Sequence, residues 1–163
     1  SAANVRASME TRAAALGRAL APEDVEKMTW RTAAYGREAA AVDYARAVQT
    51  IHRAGRVVGR FFTQWDVLLT PTMCRPPHRL GELDTNSDDV DRFLDLLVST
   101  IAFTSLFNAT GNPAMSVPLH WTTGGLPVGV HFVAPFGDEA RLLRLAAQLE
   151  EAQPWADRRP VLA

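Results

Sequence analysis

The chain has 163 residues, 47% of them hydrophobic and 21% charged, which gives room for one domain with a real core and sets it among ordinary soluble globular proteins. The formal net charge of -1 excludes a general attraction to nucleic acid or to an anionic membrane, and the only lysine is Lys27. A single cysteine, Cys74, excludes an intrachain disulfide framework. With no secretory leader in view it points to a reducing, cytoplasmic setting. No apolar run approaches the roughly 20 residues that span a bilayer.

Residues 1–20 are rich in Ala and Arg and carry few large apolar groups, so they read as a weakly anchored helix or a frayed end. Ala21-Pro22-Glu23-Asp24 has the proline and acids of a helix start, and that helix should run to Tyr35, with Gly36 as a break. The clearest helix covers 38–64. Tyr44, Val48, Ile51, Gly55, Val58 and Phe62 recur at steps of four and three along one face.

Asp66-Val67-Leu68-Leu69-Thr70-Pro71 is a short apolar run ended by proline, which reads as a strand buried on both faces. An irregular connection with Pro76, Pro77 and Gly81 follows, then an acidic loop over 84–91 leading into a helix. That helix should cover 90–107 and is apolar nearly all round in its second half, the mark of a helix buried in a larger body. It should end at Gly111. Met115 to Leu119 and Val128 to Val133 alternate as strands do, with 122–125 as the hairpin loop. Pro118 puts its strand at an edge or at the end of pairing. A last helix starts near Asp138, with Leu142, Leu145, Ala146 and Leu149 on one face, and Pro154 ends it.

Several pieces of this pattern resemble one family in order along about the last 135 residues. They are Trp30, Gly36, Asp43-Tyr44 and Ala47; Phe61-Phe62; the run Asp66-Val67-Leu68-Leu69-Thr70-Pro71-Thr72; Asn108, Gly111, Pro113 and Ser116-Val117-Pro118; Gly125-Leu126-Pro127-Val128-Gly129; Asp138-Glu139, Leu142-Leu143 and Glu150; and Pro154-Trp155 with Arg159-Pro160. The chain is similar in these to the carboxy-terminal part of the amidase signature family. The resemblance implies an α/β fold, the carboxy-terminal portion of a mixed β-sheet covered by helices. It also implies an amide hydrolase with a serine nucleophile, a second serine in a cis peptide and a lysine. That machinery lies in an upstream Gly/Ser-rich segment that this chain does not contain.

The expectation is therefore a single domain over 1–163 that supplies scaffold and part of the substrate pocket and is inactive alone. Its partners would be a small-molecule amide, the missing amino-terminal catalytic part and a second copy of the chain, with no nucleic acid, membrane, cofactor or metal. A non-catalytic interaction or regulatory subunit derived from an amidase is the alternative. A tRNA-dependent amidotransferase subunit is a third, which Thr29-Trp30, Asp43-Tyr44 and Arg75-Pro76-Pro77 disfavour.

Serine catalysis needs an adjacent base and an oxyanion hole. None of Ser1, Ser8, Ser87, Ser99, Ser105 and Ser116 sits in a glycine-rich turn, and Lys27 follows Asp24 and Glu26 on an expected surface helix. No catalytic residue is therefore assigned. Cys74 with His52, His78, His120 or His131 would make a thiol pair, but reads better as a small residue beside a strand end. His131 falls on the strand face opposite Val130 and Phe132, as a packing residue. The acidic group Asp88, Asp89 and Asp91 lacks calcium-loop spacing and reads as a solvated helix start. The substrate-binding candidates are Phe103, Thr104 and Phe107. The resemblance puts them at a helix end lining the acyl side of the pocket, where apolar walls with one hydroxyl suit a cleft. Asn108 is expected to tie down the turn before Gly111.

Overall fold

A computed structural model describes residues 2–159; Ser1 and the Pro160 of the Arg159-Pro160 ending lie outside the described residues. The elements are α1 (Ala2–Leu16), a 3-10 turn (Pro22–Asp24), α2 (Lys27–Glu38), α3 (Ala41–Phe61), β1 (Leu68–Pro71), α4 (Val90–Thr100), α5 (Ser105–Thr110), β2 (Ala114–Trp121), β3 (Pro127–Val133) and α6 (Glu139–Ala152). They form two compact units, residues 1–50 with 78–98 and residues 51–77 with 99–163.

The first unit is helical and thinly cored, with Met9 of α1 and Ala33 of α2 as its buried apolar residues. Gly36 does not break α2. A Cβ on it would lie 2.5 Å from the Ala2 carbonyl oxygen and 2.9 Å from Arg6 Cβ, so the missing side chain is what lets α1 approach α2. Polar ties do much of the rest. The Arg18 guanidinium grips both oxygens of Asp24 at 2.6 and 2.8 Å, and the Ala21 N–H donates to Asp24 at 2.8 Å. Lys27 Nζ donates to Asp88 Oδ1 at 2.7 Å, and the Lys27 N–H to Asn86 Oδ1 at 3.2 Å. At the start of α4, the Asp89 carboxylate accepts the Arg92 N–H at 3.0 Å, as an acid at a helix amino end should.

The second unit is built on a three-stranded antiparallel sheet in the order β1-β3-β2. The β2–β3 hairpin turns through 122–126, where the Thr122 N–H meets the Leu126 carbonyl at 2.8 Å and Gly125 takes φ 81°. One face of the sheet packs against α6 through Val117, Phe132, Ala134 and Leu142, with Leu145, Leu149 and Trp155 around them. The other face packs Val133 against Val58 and Phe107, with Phe62 and Leu68 alongside. The period-2 reading of both hairpin strands holds, and the final helix buries Leu142 as expected. Pro118 sits on β2, an outer strand of this sheet, opposite Gly129, and the register shifts just after it.

Three expectations fail for physical reasons. β1 is not buried on both faces. It forms the other outer strand, its residues alternate in exposure, and Leu69 is 61% exposed. The single helix over 90–107 is two helices, because the Thr100 carbonyl accepts the Cys74 N–H at 3.1 Å and the chain turns before α5. Within this chain Leu94, Val98, Phe103 and Leu106 of that stretch are exposed. On α3, Val58 is buried and Phe62, beyond its end, half-buried, but Tyr44 and Ile51 on the same stripe are exposed.

Candidate functional site

The second unit holds every candidate binding residue, and its geometry starts at the end of α5. Thr104 precedes that helix and its hydroxyl turns back to the Ile101 carbonyl at 3.4 Å. Gly111 closes the helix in the left-handed region at φ 75°, with its N–H on the Phe107 carbonyl at 2.9 Å. A Cβ on Gly111 would come within 3.3 Å of the Phe136 ring. The side-chain tie of this turn is made by Asn112, not Asn108. Asn112 Nδ2 donates to the Ala134 carbonyl at 3.0 Å and its Oδ1 accepts the Thr110 hydroxyl at 2.8 Å. Both amides precede the Pro113 kink, and only the return of β3 decides which one finds a carbonyl.

The three substrate-wall candidates part company here. Phe107 is buried in the core with Val58 and Val133, its ring tilted 51° to that of His131 at 5.6 Å. Thr104 is half-buried, and Phe103 is 39% exposed. The expected place at the carboxy end of one helix does not hold: Phe103 and Thr104 lie between α4 and α5, and Phe107 lies within α5.

Beside Phe107 the sheet carries a row of hydroxyls and one imidazole. Thr70, His131 and Ser116 stand opposite one another across β1, β3 and β2. Thr70 Oγ1 lies 2.9 Å from His131 Nδ1, and Thr72 Oγ1 lies 2.6 Å from Ser116 Oγ. Gly129 makes room for that second pair: a Cβ there would sit 2.5 Å from Ser116 Oγ. His131 is buried, and burial pushes its imidazole below the usual histidine range, so it is neutral near pH 7. The row is a polar seam across the sheet, exposed at Ser116 and buried at His131, which fits the packing role expected of His131.

Two hollows open on this unit. One is a groove lined by His52, Arg56, Phe62, Asn108 and Phe136. The other lies between 73–77 and the start of β3, and the exposed Cys74 lines it. At the far end of the sheet Arg141 joins Asp138 at 2.6 Å and also pairs with Asp66, so α6 is tied to the lead into β1. Asp138 does precede α6, but its carboxylate is spent on Arg141 and not on a helix N–H.

The chemistry that these groups could do is limited by their partners. The Ser116 hydroxyl is held by another hydroxyl, and the ammonium of Lys27 is held by Asp88 at the surface of the first unit. Among the described residues no three of His, Cys, Asp and Glu converge to hold a metal ion, and no helix is long and apolar enough to cross a membrane.

Comparison with known proteins supplies what the side chains alone do not. The sequence model of the Amidase family matches residues 5–143. The chain is 46% identical over 111 residues to putative amidase AmiC of Mycobacterium leprae, covering 68% of this chain and 23% of that protein. It is 36% identical over 153 residues to the 6-aminohexanoate-cyclic-dimer hydrolase of Paenarthrobacter ureafaciens, covering 90% of this chain and 31% of the relative. A solved 6-aminohexanoate cyclic dimer hydrolase superposes with a TM-score of 0.87 at 33% identity, over 98% of this chain and 34% of that one. A bacterial aryl acylamidase of the amidase signature family shares the fold, with a TM-score of 0.72 at 19% identity. The chain thus spans only about a quarter to a third of the length of these relatives. Within that span, the family match from the first helix to the last and the superposition over nearly every residue agree: the chain belongs to the amidase signature family.

Proposed function

We propose that this chain is the carboxy-terminal segment of an amide hydrolase, cytoplasmic, in which it provides scaffold and one wall of the substrate pocket. The observation that carries the reading is the superposition of 98% of the chain on a third of a cyclic-amide hydrolase at 33% identity. The nucleophile, its relay and the oxyanion donors lie on residues outside this chain. Of its own candidate groups, the Ser116 hydroxyl is held by Thr72 and the lysine, Lys27, by Asp88.

The division of labour is physical. The antiparallel sheet, filled on both faces, supports α5 through Phe107, and the residues just before α5 carry the wall. Phe103 presents an exposed aromatic face and Thr104 one hydroxyl, which suits an acyl group flanked by a single polar anchor. Phe107 acts from beneath, as the packed residue that holds α5 against Val133.

The test is kinetic, in the whole amidase of which the chain is a part. Phe103→Ala is expected to raise KM for the amide on the order of tenfold while changing kcat little, the signature of lost ground-state binding. Kinetics unchanged in both Phe103→Ala and Thr104→Val would remove these residues from the pocket.

A further inference from the structure

The outer edge of β2 is covered in an unusual way. Between Pro118, opposite Gly129, and His120, opposite Val128, β2 holds one extra residue, Leu119, that has no partner on β3. Its carbonyl is not left open: Gln153 Nε2, just past the end of α6, donates to it at 2.8 Å. The chain then continues along the same strand. Trp155 packs against the Val117, Phe132, Ala134 and Leu142 cluster, and the Arg158 guanidinium lies 4.0 Å over the ring of Trp121, the last residue of β2. The Arg158 N–H on the Trp155 carbonyl at 3.0 Å folds the segment into a turn that holds the guanidinium there.

An outer strand presents unpaired N–H and C=O groups to any other strand that approaches. At the 118–121 end of β2 three features stand in the way of such an approach. Pro118 has no N–H, the Leu119 carbonyl is taken, and the face of Trp121 is occupied by a cation. We propose that residues 153–158 form a strap that closes the outer edge of β2 and stops it from pairing with the β2 of a second copy of this chain. Trp155 anchors the strap, and Gln153 and Arg158 do the closing.

The test compares the chain with the double variant Gln153→Ala/Arg158→Ala, which leaves Trp155 in the core. Sedimentation velocity over a concentration series reads self-association, and thioflavin T fluorescence reads strand pairing. Loss of one hydrogen bond and one cation–π contact should raise the apparent association constant on the order of tenfold. Adding His120→Lys, a charge on an exposed position of the same strand, should return it to the starting value. A double variant that associates no more than the unaltered chain overturns the proposal. So does association that His120→Lys leaves in place, since it must then use another surface. If the double variant does not fold, Arg158→Ala alone, whose side chain is at the surface, is read by the same two criteria.

Discussion

The two compact units of this chain are held together by different physics. The sheet unit buries Val117, Phe132, Val133, Ala134 and Leu142 between helices on both faces, and its one buried imidazole is matched to a hydroxyl. The helical unit buries little more than Met9 and Ala33, and joins its turns with ion pairs at the surface. Apolar burial contributes several times more per residue than an exposed ion pair, so the sheet unit should carry most of the stability. The site proposed for the substrate wall is on that unit, which is where a rigid support is needed.

The largest test of this contrast is Phe132→Ala. It removes a side chain that is 5% exposed from the α6 side of the sheet, and should destabilise the sheet unit by about 3–5 kcal/mol. Denaturant unfolding, with amide exchange read at β3 and α6, checks it. In the helical unit the corresponding test is Gly36→Ala. A methyl group there meets the Ala2 carbonyl oxygen at 2.5 Å, so α1 must shift away from α2. The expected cost is about 1–2 kcal/mol, towards the low end for overpacking because α1 is thinly anchored, and faster exchange should be confined to α1 and α2. A loss as large as that of Phe132→Ala would mean that the α1–α2 contact matters far more than its burial suggests.

Acid separates the units further, with smaller effects. Burial holds the His131 imidazole below its usual range, so the folded state binds its proton later than the unfolded state. Its contribution is intact above about pH 6.5 and is lost as the pH falls below it, and His131→Gln should flatten that slope. Asp24 behaves otherwise. The Arg18 guanidinium, and then the Ala21 N–H, hold its carboxyl well below the usual carboxylate range. Its contribution is present above about pH 4 and is lost only as the pH falls further, towards the folded value. The sheet unit should therefore respond to acid first. Asp24→Asn should give the smallest change of all, and one that shrinks in salt, because the pair lies at the surface.

Much of the sheet unit was legible in the sequence because its signals are local. Alternation gave β2 and β3, the Thr-Thr-Gly-Gly loop gave the hairpin, and Gly111 marked the end of α5. What failed depended on distant partners. The apolar residues continue through 101–103, past the point where α4 ends and the Thr100 carbonyl accepts the Cys74 N–H. Gly36 looks like a helix break until the approach of Ala2 is known. Leu69 belongs to an apolar run, yet it stands on an outer strand with one face open. The same holds at the candidate site. The resemblance put Phe103, Thr104 and Phe107 at one helix end, but α5 starts after the first two, and the inward turn of Phe107 comes from Val58 and Val133. Asn112, which holds the turn, has no signal that sets it apart from Asn108 before β3 returns beside it.

The central claim is that the chain belongs to an amide hydrolase but does not hold the groups that break the bond. The direct measurement is turnover of 6-aminohexanoate cyclic dimer and of simple aliphatic and aryl amides by this purified chain, with size-exclusion chromatography on the same sample. The account predicts no hydrolysis, with self-association through exposed apolar residues such as Leu69 and Phe136. Hydrolysis by the chain alone that is abolished by Cys74→Ala or by Ser116→Ala would contradict it, and would name the nucleophile.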